Sequence, residues 1–194
     1  MIQLITGLIL FLGMHSIRFV AEGKREQFIN ARGELLYKGL YSLVSLLGLV
    51  LIVMGYSATR LNPVFIWTPP LALSHVSALL MLLSFILLAA AYIPGTRMKA
   101  ALGHPMVLGV KVWAVAHLLA NGRLGDIVLF GAFLVWAIVD YAASRRRDRR
   151  DGIVRQPAAG ISRDAMAVVI GGLAWFAFAF WLHLVLIGVS PFAV

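Results

Sequence analysis

The chain has 194 residues, of which 61% are hydrophobic and 13% charged, with no cysteine and a mean hydropathy of +0.92. Soluble domains use about 45–50% apolar residues, so the composition excludes an ordinary soluble domain and indicates a membrane protein. The absence of cysteine excludes disulfides, iron–sulfur ligation and covalent c-type haem attachment. The formal net charge is +9, so the informative question is where the cations sit.

Six apolar segments follow in chain order: about Ile2 to Val20, Leu36 to Ser57, Leu71 to Ile93, His104 to Asn121, Leu124 to Ala143 and Ala165 to Val189. Most are near the ~20 residues a helix needs to cross a bilayer. The reading is an all-α, polytopic membrane helical bundle of about six transmembrane helices, forming one domain over residues 1–194. The first segment lacks a basic n-region and a small-x-small cleavage site, so it is expected to be a retained span rather than a signal peptide.

The connections alternate sharply in charge. Arg18, Lys24, Arg25, Arg32 and Lys38 flank the first, Arg97 and Lys99 the third, and Arg145, Arg146, Arg147, Arg149, Arg150, Arg155 and Arg163 the fifth. The second and fourth hold only Arg60 and Arg123, and Lys111 lies inside a span. The positive-inside rule places the odd connections in the cytoplasm and both termini outside. The densest run, Ser144–Arg155 (SRRRDRRDGIVR), is then part of a basic cytoplasmic loop over about 144–163, and nucleic acid is not an expected partner. Asn62-Pro63 and Pro69-Pro70 punctuate the second connection around Trp67, and Pro94-Gly95 ends the third span. The stretch 156–160 reads as a loop leading to Ser162, a helix N-cap ahead of Asp164. Asp126 is expected to complement the dipole at the start of the fifth span. Ala116, Ala120 and Gly171-Gly172 are small enough to let helices approach closely.

Polar groups in hydrocarbon are costly and mark candidate sites. On this topology His75, His117 and His183 share an outer layer, whereas His15 and His104 lie nearer the inner face. Two neutral imidazoles from facing helices can hold a b-type haem without a covalent motif, and depth makes His75 and His117 the expected iron ligands, with His15 as the alternative. Trp113, one turn below His117, and Asn121, one turn above it, could line the slot. The plainer reading is that each histidine satisfies a backbone carbonyl and that the Trp113 stripe is ordinary packing. Lys111 either snorkels toward the inner face or pairs with a buried anion, such as a haem propionate or Asp140.

The string His104-Pro105, Lys111-x-Trp113 and Ala116-His117-Leu118-Leu119-Ala120-Asn121-Gly122, with His15-Ser16 and Trp67-Thr68-Pro69-Pro70 ahead of His75, closely resembles the NnrU family. The match extends to about Tyr141. It implies an inner-membrane protein linked to denitrification, with nitrite and nitric oxide reductases as associated proteins, and functional positions at His15, His75, His104 and His117. The chain is also similar to 15-cis-zeta-carotene isomerase, which implies haem b and an apolar small-molecule substrate. Unlike that enzyme, it has no histidine in the stretch Leu134 to Tyr141 (LVWAIVDY).

Three functions follow. One is a haem-b protein, catalytic or sensory, whose iron responds to redox state or nitric oxide. The second is a non-enzymatic regulator or assembly partner of denitrification enzymes. The third is an S-adenosylmethionine-dependent membrane methyltransferase, suggested by Gly103-His104-Pro105 with Lys99 nearby and opposed by the lack of a later Glu-Glu motif.

Overall fold

A computed structural model describes residues 1–156 and 161–192. It is all-α: α1 (Ile2–Val20), α2 (Glu22–Arg32), α3 (Glu34–Leu61), α4 (Leu71–Tyr92), α5 (Arg97–Leu102), α6 (Pro105–Ala120), α7 (Leu124–Arg150) and α8 (Ser162–Ala177), which continues through a π-helical turn (Phe178–Leu182) into α9 (His183–Ile187). Among the described residues five helices are long and apolar enough to cross a membrane: α1, α3, α4, α7 and the continuous Ser162–Ile187. The remaining expected span, α6, is apolar but only 16 residues long. Large apolar side chains such as Leu43, Leu79 and Val185 are exposed at 64%, 69% and 77%. Those values suit lipid contact and would be costly in water. The chain is a multi-pass membrane protein.

Several boundaries differ from the sequence expectation. The basic stretch from Ser144 is helical as far as Arg150 rather than a loop from the start. Arginine is a good helix former, cations suit a helix C-terminus, and Arg145 reaches Asp148 at 3.7 Å, one turn on. Ser162 is the first helical residue, not the cap: Ile161 holds the N-cap position and no side chain caps it. The expected loop at 156–160 falls, apart from Gln156, outside the described residues. The polar helix α2 and the single-turn α5 carry too little apolar periodicity to have been marked.

The chain divides into two compact units, Met1–Trp67 with Gly122–Trp136, and Thr68–Asn121 with Ala137–Val194. In the first, α1 packs along α3 through residues that lack side chains. Ser45, Gly48, Ile52 and Gly55 form the buried seam of α3, spaced three and four apart as one helical face requires. A Cβ on Gly7 would lie 2.6 Å from the Ile52 nitrogen, one on Gly48 would lie 2.7 Å from the Phe11 nitrogen, and one on Gly55 would collide with the Leu4 backbone. Such close approach is how helices cohere where lipid removes the hydrophobic drive. At the far end of α3, Asp126 is 1% exposed. Its Oδ1 accepts the Tyr56 hydroxyl at 2.7 Å and its Oδ2 accepts the Arg123 N–H at 3.2 Å, so the acid at the third position of α7 reaches back to the residue preceding the helix, as in a capping box.

In the second unit, α4 and α6 run antiparallel and are joined by hydroxyls. Ser77 Oγ donates to the Ala116 carbonyl at 2.7 Å and Ser84 Oγ to the Gly109 carbonyl at 2.8 Å. Ala116 is fully buried, as its small size allowed. Of the Gly171-Gly172 pair only Gly171 serves close packing: its Cβ would meet Ile86 Cα at 2.6 Å, whereas Gly172 faces open space. Asp164, the acid in the first turn of α8, accepts the Arg97 and Met98 N–H groups, both at 3.2 Å, holding α5 in place.

The α1–α3 seam makes a sharp prediction. Gly7→Ala and Gly48→Ala should each destabilise by about 1–3 kcal/mol through overpacking. Gly13→Ala and Gly39→Ala, where a Cβ meets nothing within 4 Å, should leave the thermal midpoint in detergent unchanged or slightly raised, since Gly is about 0.5–1 kcal/mol worse than Ala inside a helix.

Candidate functional site

The five histidines are held in different ways. His15, on α1, approaches the Phe11 carbonyl through Nδ1 at 2.6 Å, and its ring stacks on Phe11 at 4.2 Å between centroids. His117, on α6, repeats the arrangement: Nδ1 is 2.9 Å from the Trp113 carbonyl, and the rings are 5.2 Å apart. In both, an aromatic residue four positions back presents its carbonyl to Nδ1. A carbonyl can only accept, so Nδ1 carries a proton, and it is the Nδ1–H tautomer of a neutral imidazole that presents its lone pair at Nε2 to a metal.

The other three lack this arrangement. His104 precedes α6, with Pro105 at the first helical position, where its missing N–H costs nothing. Its Nε2 is 2.9 Å from Asp148 Oδ2. His183 Nδ1 faces the Val189 carbonyl, and its ring meets Phe178 edge-on. His75 is exposed. Ser77 marks the side of α4 that faces α6, and His75, two residues earlier, lies about 200° around the helix from it. Thus His75 and His117 stand at similar heights on neighbouring helices, but His75 is turned away from α6. Asn121 Nδ2 donates to the His117 carbonyl at 2.9 Å, ending α6 by satisfying one of its last carbonyls.

Lys111 has an aromatic partner. Its Nζ lies 5.0 Å from the centre of the Tyr141 ring, and the Tyr141 hydroxyl donates to the Leu102 carbonyl at 2.9 Å. The amine therefore bends toward the start of α6, as snorkelling requires, and gains a cation–π contact there.

The surroundings of His15 contain groups that sequence reasoning did not single out. A cleft of about 290 Å³ is lined by Met14, His15, Arg18, Arg25, Tyr37, Lys38 and Tyr41. The His15 ring is 5.4 Å from Tyr41 and meets Trp136 edge-on at 6.2 Å. Trp136 Nε1 is buried without a hydrogen-bond partner among the described residues. The signal in the sequence was Tyr37 and Tyr41, four apart and bracketing Lys38, with Arg18 one turn beyond His15.

In the second unit Asp148 forms a hub. Arg155 grips it with two hydrogen bonds, at 2.6 and 2.9 Å, while His104 and Arg145 approach the same Oδ2. The hydrogen bond to Asp148 holds the Arg155 guanidinium above its ordinary pKa. Gly103, at φ +78°, leaves the space that Arg145 occupies, where a Cβ would meet Nη1 at 2.6 Å. The hub ties the turn before α6 to the basic end of α7.

The string from His104 to Gly122 is thus a helix pinned at one end through Asp148 and closed at the other by Asn121. A family profile described as NnrU protein matches residues 3–191. The chain belongs to the NnrU family. No curated protein and no solved structure matches it. The NnrU match covers the last helix as well as the histidine-bearing ones, so the family pattern extends past the Tyr141 limit at which the motif resemblance ends. Among the described residues no group of three or more His, Cys, Asp or Glu could hold a metal ion.

Asp148→Asn should destabilise this NnrU-family protein by about 1.5–3 kcal/mol, the scale of hydrogen bonds to a charged group, because Arg155 keeps 23% of its side chain exposed. It should also speed tryptic cleavage between Arg145 and Arg155. Asp151→Asn is the control: its partner Arg150 is 67% exposed, and a solvent-screened pair adds little to stability.

Proposed function

We propose that this NnrU-family membrane protein binds haem b through His15 and serves a redox or nitric-oxide-linked role in denitrification, as the family resemblance implies. The observation that carries the reading is the anchored tautomer of His15 beside an aromatic, cation-lined cleft. Nε2 is the donor atom for iron. Arg18 and Arg25 are the counter-charges for two propionates, whereas Lys38 is paired with Glu34 at 2.9 Å. Tyr37, Tyr41 and Met14 are the apolar walls, and the orphaned Trp136 Nε1 is a donor for a further acceptor near the ring. The cleft volume is close to the lower end of the roughly 300–1,000 Å³ of small-molecule sites; being open on one side, it admits part of a planar group larger than itself.

Haem would supply a redox-active iron able to bind nitric oxide. The protein would hold the imidazole at one angle through the Phe11 carbonyl, exclude water with the aromatic walls, and keep the carboxylates at the basic end. His117, with the same anchoring, is the counterpart in the second unit. An isomerase-like activity on an apolar substrate remains an extension of this reading, resting on the similarity to the carotene isomerase alone.

A reduced-minus-oxidised spectrum after haem-replete expression tests it. The wild-type protein should show a Soret band that shifts when nitric oxide is added to the reduced form. His15→Ala should lower haem occupancy about tenfold or more, as loss of an axial ligand demands, while His104→Ala and His183→Ala should retain it. A band that survives His15→Ala but disappears in His117→Ala or His75→Ala moves the site to the second unit. Absence of any band leaves the regulator or assembly-factor reading.

A further inference from the structure

The end of α3 and the start of α7 gather two arginines that the sequence keeps far apart. Arg60 and Arg123 are the cations of the second and fourth connections, the side of the chain that is otherwise poor in positive charge. Both line a single cleft of about 410 Å³, with Ser57, Leu61 and Pro63 as the remaining walls.

The convergence is built rather than incidental. Gly125 lies against Thr59, so closely that a Cβ would collide with the threonine hydroxyl, and Gly122 lies in the same way against the Trp67 carbonyl. The two connections are then stitched together: Leu124 N–H donates to the Val64 carbonyl at 2.8 Å, and Ile66 N–H to the Gly122 carbonyl at 2.8 Å. Arg123 is fixed further by its own N–H on Asp126 and by its guanidinium over the Phe65 ring at 5.8 Å. Asp126 is buried, and its oxygens are directed to Tyr56 and the Arg123 backbone.

We propose that the Arg60–Arg123 cleft binds a phosphate-bearing anion. A guanidinium offers five donors in a fixed fork, enough to serve a protein partner and still meet an oxyanion. One fork matches a carboxylate or a phosphate alike, but two forks with a serine hydroxyl call for a ligand that offers three or more acceptor oxygens, as a phosphate does. The cleft lies where helices leave the apolar layer, so the phosphate can come from a phospholipid headgroup or from free phosphate.

Native mass spectrometry of the full chain in detergent distinguishes the sources. Dioleoylphosphatidylglycerol and inorganic phosphate are titrated separately against the wild type and the Arg60→Gln/Arg123→Gln double variant. We expect the double variant to weaken binding of the tightest anion about tenfold, the scale of losing charge-assisted forks. Loss seen with the lipid alone identifies a headgroup site, and loss with both probes identifies a phosphate site. Equal binding by wild type and variant, or no binding of either probe, overturns the proposal. Phenylglyoxal modification of the wild type gives a readout independent of variant folding: either probe should slow modification of Arg60 and Arg123, and no protection at both residues overturns the proposal as well.

Discussion

Helices in hydrocarbon gain nothing from being apolar, since lipid chains are as apolar as leucine. What holds this chain together is the approach of one backbone to another, with every backbone polar group already satisfied within a helix. The Gly7–Gly48–Gly55 seam and the contact of Gly171 with Ile86 do this by omission of side chains. Ser77 and Ser84 do it by hydroxyls that reach carbonyls on the neighbouring helix. Large residues are left to face outward, which is why so many leucines and valines are exposed while the buried positions are dominated by Gly, Ala and Ser.

The histidines illustrate how a common residue is differentiated by its support. A ring whose Nδ1 is tied to the carbonyl one turn back has a fixed direction. A ring beside a buried carboxylate, such as His104 at Asp148, is part of a charge network instead. The arginines divide similarly: Arg155 and Arg145 close a hub around Asp148, while Arg18 and Arg25 face a cleft.

Much of the fold was legible in hydropathy, whereas the charge run from Ser144 hid the last turns of α7. The apolar runs became helices, Pro94-Gly95 ended α4, and Asn62-Pro63 and Pro69-Pro70 fell between α3 and α4. Glycine spacing in α3 was equally visible, as three- and four-residue steps, but without knowing which helix lay opposite it carried no meaning. Helices α2 and α5 escaped notice because their stability comes from neighbours and caps, such as Thr96 accepting the Lys99 N–H, rather than from an apolar stripe. At the candidate site, depth along the membrane was readable for His75 and His117, whereas direction around the helix was not: it depends on which face of α4 Ser77 and Ser84 claim. The cleft at His15 draws on α1, α2 and α3 together, so no local pattern announced it.

The shortness of α6 has a mechanical side. Sixteen residues rise only about 24 Å, against a hydrocarbon thickness of about 30 Å. A bilayer meeting this helix must thin locally, or polar residues at its ends must reach to the interface, at a fraction of a kcal/mol per ångström of mismatch. The mismatch falls on His104 at one end and on the His117–Asn121 turn at the other. A bilayer crossed by α6 would therefore load both of its ends, and of the two it is the His104 end that is tied to another helix, through Asp148, while Asn121 closes its own helix.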